Sequence, residues 1–351
     1  MAFEIKRKNY TVRLSDPILY VDNESRKRSG HMTHAMVEYA PGKVIDFNAN
    51  CSAVRHNGHS TYGWVEYRLS EDSGETFSEI HDLPYAYESF TDGLQMISVE
   101  KAVGCDNGRI VALCLRNDPV SVCQPWNTPT AVYSDDGGKS WSEPYEISPY
   151  AGRIYDAVYH KGIIYFLEFC NPGDGFFCGE KEEHVYRIYR SVDDGITFEE
   201  VCVVPVPSMG RGYGAMIFDE KDDLHVYAYN VNDERHMDHI ISHDCGITWD
   251  EPSTCYLSIG IRNPQVAIID GIFILHGRAE NVSGFALYSS EDGSIWEDGT
   301  YIGQSRGGCY YSNNIVLKDK DGSNRLLIQY SDLYSGDAAV NVYHAWLKVE
   351  K

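Results

Sequence analysis

The stretch SEDSGETF (70–77) returns four more times along the chain, as SDDGGKSW (134–141), SVDDGITF (191–198), SHDCGITW (242–249) and SSEDGSIW (289–296). Each copy reads serine, any residue, acid, any residue, glycine, two residues, aromatic. The acid is Asp72, Asp136, Asp193, Asp244 and, in the fifth copy, Glu291. Before each box runs a short alternating or apolar segment such as WVEYRLS, VYRIYRS or FALYS, which predicts a strand entering a tight turn. Within that turn the carboxylate accepts backbone N–H groups, the glycine takes a conformation closed to other residues, and the aromatic returns to pack between sheets. Five catalytic copies would have no chemical logic. The boxes are therefore architecture, and the chemistry must lie elsewhere.

A second repeat runs out of phase with the first. SGHMTHAMVEY (29–39), DGLQMISVEKA (92–102), AGRIYDAVYHK (151–161), MGRGYGAMIFD (209–219), GIRNPQVAIID (260–270) and GCYYSNNIVLK (308–318) each turn apolar and lead into a second strand. The intervals are roughly 50 to 65 residues, the length of a four-stranded propeller blade with an enlarged loop. Helical periodicity is weak and turn residues are dense. The expectation is an all-β, six-bladed β-propeller occupying residues 1–351 as one domain. Its last blade would be completed by the N-terminal YTVRLS beside NVYHAWLKV (341–349), closing the ring.

Composition narrows the function. The net charge of −22 argues against nucleic acid and anionic membranes as partners. No apolar run is long enough for a membrane span. Ten cysteines, with no C-x-x-C pair and no leader-like apolar segment behind MAFEIKRKNY, read as reduced thiols in a cytoplasmic protein. Neither a cofactor nor a metal is expected. Aromatics make up 13 % of the chain, with 26 tyrosines, which suits strands and sugar-facing surfaces.

The boxes, the six units and the length resemble the sialidase (neuraminidase) superfamily over essentially the whole chain. That resemblance implies boxes at blade turns, remote from the active site. Sialidases carry an arginine in an F-R-I-P-A strand, where HMTHA (31–35) has none, and an aspartate acid/base before the first box. There this chain offers His56, His59, Tyr62 and Glu66 instead. The family's E-P-Q-V segment is matched by NPQV, which keeps Gln265 and the later Arg278 but puts Asn263 at the glutamate. The nucleophile of the Y-S motif is matched by Tyr311 and Ser312.

Aligning the six inner strands on their first apolar core position gives one ring four places earlier: His31, Gln95, Arg153, Arg211, Arg262 and Tyr311. One place before the core position come His34, Ser98, Asp156, Gly214, Gln265 and Asn314, with Tyr155 and Tyr213 close by. Arginines at one register repel one another unless an anion sits among them, and a guanidinium fork matches a carboxylate bidentately. The expected ligand is an acidic sugar or oligosaccharide held by Arg153, Arg211, Arg262 and Arg278, with His31, Gln95, Tyr155 and Tyr213 lining the pocket. Tyr311, Asp156 and His34 are the expected catalytic groups, with Glu168 a further candidate base. The expected activity is a sialidase-like glycoside hydrolase acting on a terminal sialic acid, related keto-sugar acid or uronate. Two alternatives stand beside it: a non-catalytic glycan-binding propeller, and a uronate lyase using a Tyr or His base. CQPWNTP (123–129) and CNPGDGFFCGEKEEH (170–184) are the candidate covering loops, with Trp126, Phe176 and Phe177 to stack on sugar faces.

Overall fold

The computed structural model describes residues 3–54, 62–118, 127–172, 178–280, 284–303, 311–333 and 338–351. Six antiparallel sheets are arranged as blades around one channel. Their innermost strands are Met36–Ala40, Met96–Gly104, Gly152–His160, Arg211–Phe218, Ile261–Ile269 and Ser312–Lys318, which define blades 1 to 6. Each inner strand packs on the next around the ring, and the sixth returns to the first.

The predicted closure is present. Thr11–Leu14 pairs with Val342–Glu350, so both chain segments share blade 6. Phe3–Lys6 extends that sheet outward, and Ile18–Val21 pairs farther along the same C-terminal strand. Opening this seam would bare Val12, Leu14, Leu326 and Leu347, all buried at the junction of blades 5 and 6. The apolar surface lost would be large, and the exposed strand edge would invite mispairing.

The boxes are built as their residue types demand. In the second copy the Ser134 hydroxyl accepts from Gly138 N at 2.8 Å and donates to Asp136 Oδ1 at 2.9 Å. Asp136 in turn accepts from Ser140 N at 2.9 Å and from the Ser140 hydroxyl at 2.6 Å. These bonds, led by the Ser140 hydroxyl, hold the Asp136 carboxyl down at about 2. Gly138 sits at φ +86°, a region where a side chain is strained. Trp141 then leaves the turn and packs edge-on against Phe47 and Tyr67 of blade 1, sealing one blade against the next. The fifth copy needs a correction. Its working pair is Ser290 and Asp292, not a serine with Glu291: Ser290 donates to Asp292 Oδ1 at 3.0 Å. Glu291 points out and accepts from Asn9 at 2.7 Å. This box is one residue shorter between acid and glycine, which the eight-letter pattern hides.

A helix not expected from the sequence covers Pro84–Thr91 between blades 1 and 2. It has two turns and few strong helix formers. Its place is set by burial of Ala86 and by Tyr87 and Phe90 packing on Trp64, rather than by propensity.

Candidate functional site

One mouth of the channel is lined by residues from five blades, among them Thr33 and His34, Glu100 and Lys101, Arg153 and Tyr155, Asn263 and Gln265, and Tyr311. Strand irregularities at this end explain how the side chains get there. In blade 2 the register shifts so that Val99 and Lys101 are paired while Glu100 is the extra residue of a bulge. Blades 3, 4 and 5 slip at the equivalent place, between Ile154 and Asp156, Arg211 and Gly214, and Arg262 and Gln265. Bulges re-aim side chains that a regular pleat would send into the sheet faces.

The centre of the mouth is a tyrosine–arginine cluster. The hydroxyls of Tyr213 and Tyr311 are hydrogen-bonded at 2.8 Å. The Arg153 guanidinium lies 5.4, 5.5 and 5.8 Å from the rings of Tyr155, Tyr213 and Tyr311. Arg278 lies 5.6 Å from the Tyr311 ring. Arg153 is 3 % exposed and donates to Glu100 Oε2 at 2.9 Å. Burial pulls its pKa down, but Glu100 and the surrounding phenol oxygens outweigh burial and raise it, so the guanidinium is permanently charged. Burial pushes the phenols of Tyr155 and Tyr213 well up, keeping them neutral donors.

The expected convergence of three arginines does not occur. Arg211 donates from Nε to Asp238 and from Nη1 to Asn230 at 3.2 Å, within its own blade. Arg262 donates from Nη2 to Glu234 at 2.8 Å and from Nε to Tyr229 at 2.9 Å. In a chain this acidic each of these arginines meets a local carboxylate, and a half-buried guanidinium is held by the nearest one. Arg153 and Arg278 remain as the cations at the tyrosines. His31 is fully buried and bonded to Ser29 at 2.8 Å, while Gln95 stands just before the blade 2 strand.

Asp156 also departs from its expected role. It lines the opposite half of the channel. Its carboxylate accepts from Lys101 Nζ at 3.0 Å, Ala157 N at 2.9 Å and Met216 N at 2.8 Å, which joins blades 3 and 4. Lys101 donates further to Gln265 at 2.8 Å and Asn313 at 3.0 Å, so one ammonium ties blade 2 to blades 3, 5 and 6 across the channel. A carboxylate so committed braces the axis; it is not poised to exchange protons at the mouth. Glu168 is fully buried in the second strand of blade 3, outside the mouth, and burial raises its pKa to about 8. His34 does reach the mouth. Burial lowers its pKa to about 4, so it is neutral and serves as an acceptor rather than an acid.

Sequence reasoning missed Glu100, Lys101 and Thr33. A signal for the first two existed: VEKA is the only inner strand among the six to place charges directly after its core position. His56, His59, Trp126, Phe176 and Phe177 lie outside the described residues. Among the described residues no group of three or more His, Cys, Asp or Glu is arranged to hold a metal ion, and the eight described cysteines are free thiols.

Fold and boxes define the class: a six-bladed propeller of the BNR/Asp-box type with a sialidase-like architecture. The BNR/Asp-box repeat family matches residues 132–143, the second box. Among solved structures, a protein of unknown function from Dyadobacter fermentans superposes with TM-score 0.73 at 14 % identity, covering 97 % of this chain and 99 % of the other. The K499G mutant of NanB sialidase from Streptococcus pneumoniae gives 0.65 at 11 %, covering 95 % and 70 %. Trypanosoma rangeli sialidase gives 0.63 at 15 %, covering 98 % of this chain and 59 % of that one. No curated protein sequence matches the chain.

Proposed function

We propose that the protein is a glycoside hydrolase of sialidase-like type, removing a terminal acidic sugar from an oligosaccharide in a reducing compartment. The observation that carries this reading is the pair of phenols, Tyr213 and Tyr311, joined at 2.8 Å beneath two guanidiniums. Arg153 and Arg278 would hold the sugar's carboxylate. Tyr311, a phenol rather than a carboxylate, would then face the anomeric carbon without the repulsion that a carboxylate nucleophile would meet from the sugar's own carboxylate. In the net reaction the glycosidic C–O bond breaks, water oxygen joins the anomeric carbon, and the water's proton goes to the departing oxygen. Two structural neighbours are sialidases, which supports a sugar ligand.

One observation favours a second reading, a glycan-binding propeller without turnover. Asn263, not a carboxylate, stands at the mouth where the resembled family has its glutamate, and the Glu100 carboxylate there is engaged by Arg153. A panel of oligosaccharides ending in sialic acids, keto-sugar acids or uronates, followed by mass spectrometry, separates these readings. Loss of one terminal residue supports hydrolysis. Binding without mass loss leaves the binder, and an unsaturated uronate absorbing in the ultraviolet would instead identify a lyase.

A further inference from the structure

Three buried polar atoms on one side of the mouth have no hydrogen-bond partner among the described residues: Thr33 Oγ1, His34 Nε2 and Glu100 Oε1. All three residues line the same opening. Thr33 and His34 are each 4 % exposed, so bulk solvent does not reach them freely. Buried polar groups without partners are rare and costly, and three in one cavity mark a place where a ligand supplies the missing bonds.

Their donor and acceptor character follows from the neighbours. Gln329 Nε2 donates to the Asp46 carboxylate, so Gln329 presents its oxygen to His34. His34 Nδ1, 3.1 Å from that oxygen, must carry the proton. The ring is neutral at ordinary pH because burial holds its pKa near about 4. Its Nε2 is therefore a bare lone pair aimed at the mouth. Glu100 Oε2 is occupied by Arg153, leaving Oε1 as a second acceptor. Thr33 has φ +59°, a left-handed conformation that is unfavourable for a β-branched residue. Such strain is retained where it places a side chain for function.

We propose that this side of the mouth is an acceptor wall that recognises a pair of neighbouring hydroxyls on the ligand, with His34 Nε2 and Glu100 Oε1 accepting and Thr33 Oγ1 adjusting between them. This rests on the acidic-sugar reading, because Arg153, bonded to Glu100 at 2.9 Å, and Arg278 would fix the carboxylate end beside the wall. Hydroxyls fit better than an ammonium group. Around the wall Arg153, Arg278 and Lys101 outnumber Glu100 and Asp156, so a cationic ligand would meet net repulsion.

The test compares glucuronate and N-acetylneuraminate with tetrahydropyran-2-carboxylate, which keeps ring and carboxylate but has no hydroxyls, by calorimetric titration. The wild-type protein should bind the better polyhydroxyl acid at least about tenfold more tightly than the bare ring acid. His34→Phe and Thr33→Gly should each shrink that gap to about threefold or less, by weakening the polyhydroxyl acid alone. Thr33→Gly relieves the left-handed strain and should fold even where His34→Phe does not. An unchanged gap in the folded variants, or equal weakening of the bare ring acid, overturns the acceptor wall. Nitrogen-15 NMR of the wild-type protein is an independent reading: His34 should be protonated at Nδ1, and a proton on Nε2 would overturn the inference while leaving the hydrolase reading intact. No binding of any of the three acids would overturn both.

Discussion

The phenol oxygens of Tyr213 and Tyr311 meet at 2.8 Å although 98 residues separate them along the chain. They come from the inner strands of blade 4 and the approach to blade 6, and the channel is what brings them together. Each ring also lies within 6 Å of the Arg153 guanidinium. A hydrogen-bonded phenol pair facing two cations is a poised donor array that neither tyrosine could form alone.

Tyr311→Phe removes one oxygen from that pair and should leave the fold intact. Turnover of a confirmed acidic glycoside should fall by about a hundredfold or more, the scale for loss of a group acting at the reacting centre. Tyr213→Phe should cost less activity, because its hydroxyl acts through Tyr311. Each variant removes the same buried hydrogen bond, at about 1 kcal/mol in urea unfolding, so the double variant should lose less than the sum. Wild-type turnover in Tyr311→Phe would remove this residue from the reaction.

Arg278→Met and Arg211→Ala should separate ligand binding from bracing. Arg278 lies over Tyr311, whereas Arg211 is engaged by Asp238. Arg278→Met should abolish measurable binding of an acidic sugar with little change in melting. Arg211→Ala leaves Asp238 without its cation in a site only 13 % exposed, and should cost about 2 kcal/mol or more of stability while affinity holds. The reverse pattern in titration and melting would restore Arg211 to the pocket.

Trp141→Ala tests the box as architecture. Its ring fills the seam against Phe47 and Tyr67, so truncation should cost about 3 kcal/mol or more. Protein that remains folded should bind and turn over ligand as before, since the box turns lie away from the mouth. Lost activity with unchanged melting would contradict this.

The buried carboxyl of Glu168 makes stability fall as pH rises. Its pKa is 4.5 in an ordinary setting and about 8 in the fold, so between those values the folded state keeps a proton that the unfolded chain has lost. Stability from this group is complete below the lower value and is lost as pH climbs to the upper one. Glu168→Gln should therefore stabilise by at least about 2 kcal/mol more at about pH 9 than at about pH 4.5. Buried neutral His34, His239 and His276, lowered to about 4, 3 and 3, act in the other direction: stability drains as pH falls below 6.5. Urea midpoints across pH, for wild type and Glu168→Gln, resolve the two. A pH-independent difference between them would exclude the buried-carboxyl account.

The sequence by itself determined the propeller. The boxes, the second repeat and the apolar strands are local patterns, each readable within about ten residues, and six units leave only a ring to close. It also put Tyr311 and Arg153 in one ring, because inner strands of equal register must meet at the same height. Tertiary structure alone decided what each side chain does there. Arg211 and Arg262 share that register, but Asp238 holds the first within blade 4 and Glu234 draws the second from blade 5 to blade 4, partners 27 and 28 residues away. Arg153 reaches the tyrosines with a partner 53 residues away. Asp156 was lost to the axis by Lys101 of the neighbouring blade. His34 owes its bare nitrogen to Gln329, 295 residues away. Strand register is set by pattern along the chain, whereas the direction of a charged or hydrogen-bonding group is set by whichever partner folding brings within about 3 Å, and no local pattern encodes that partner.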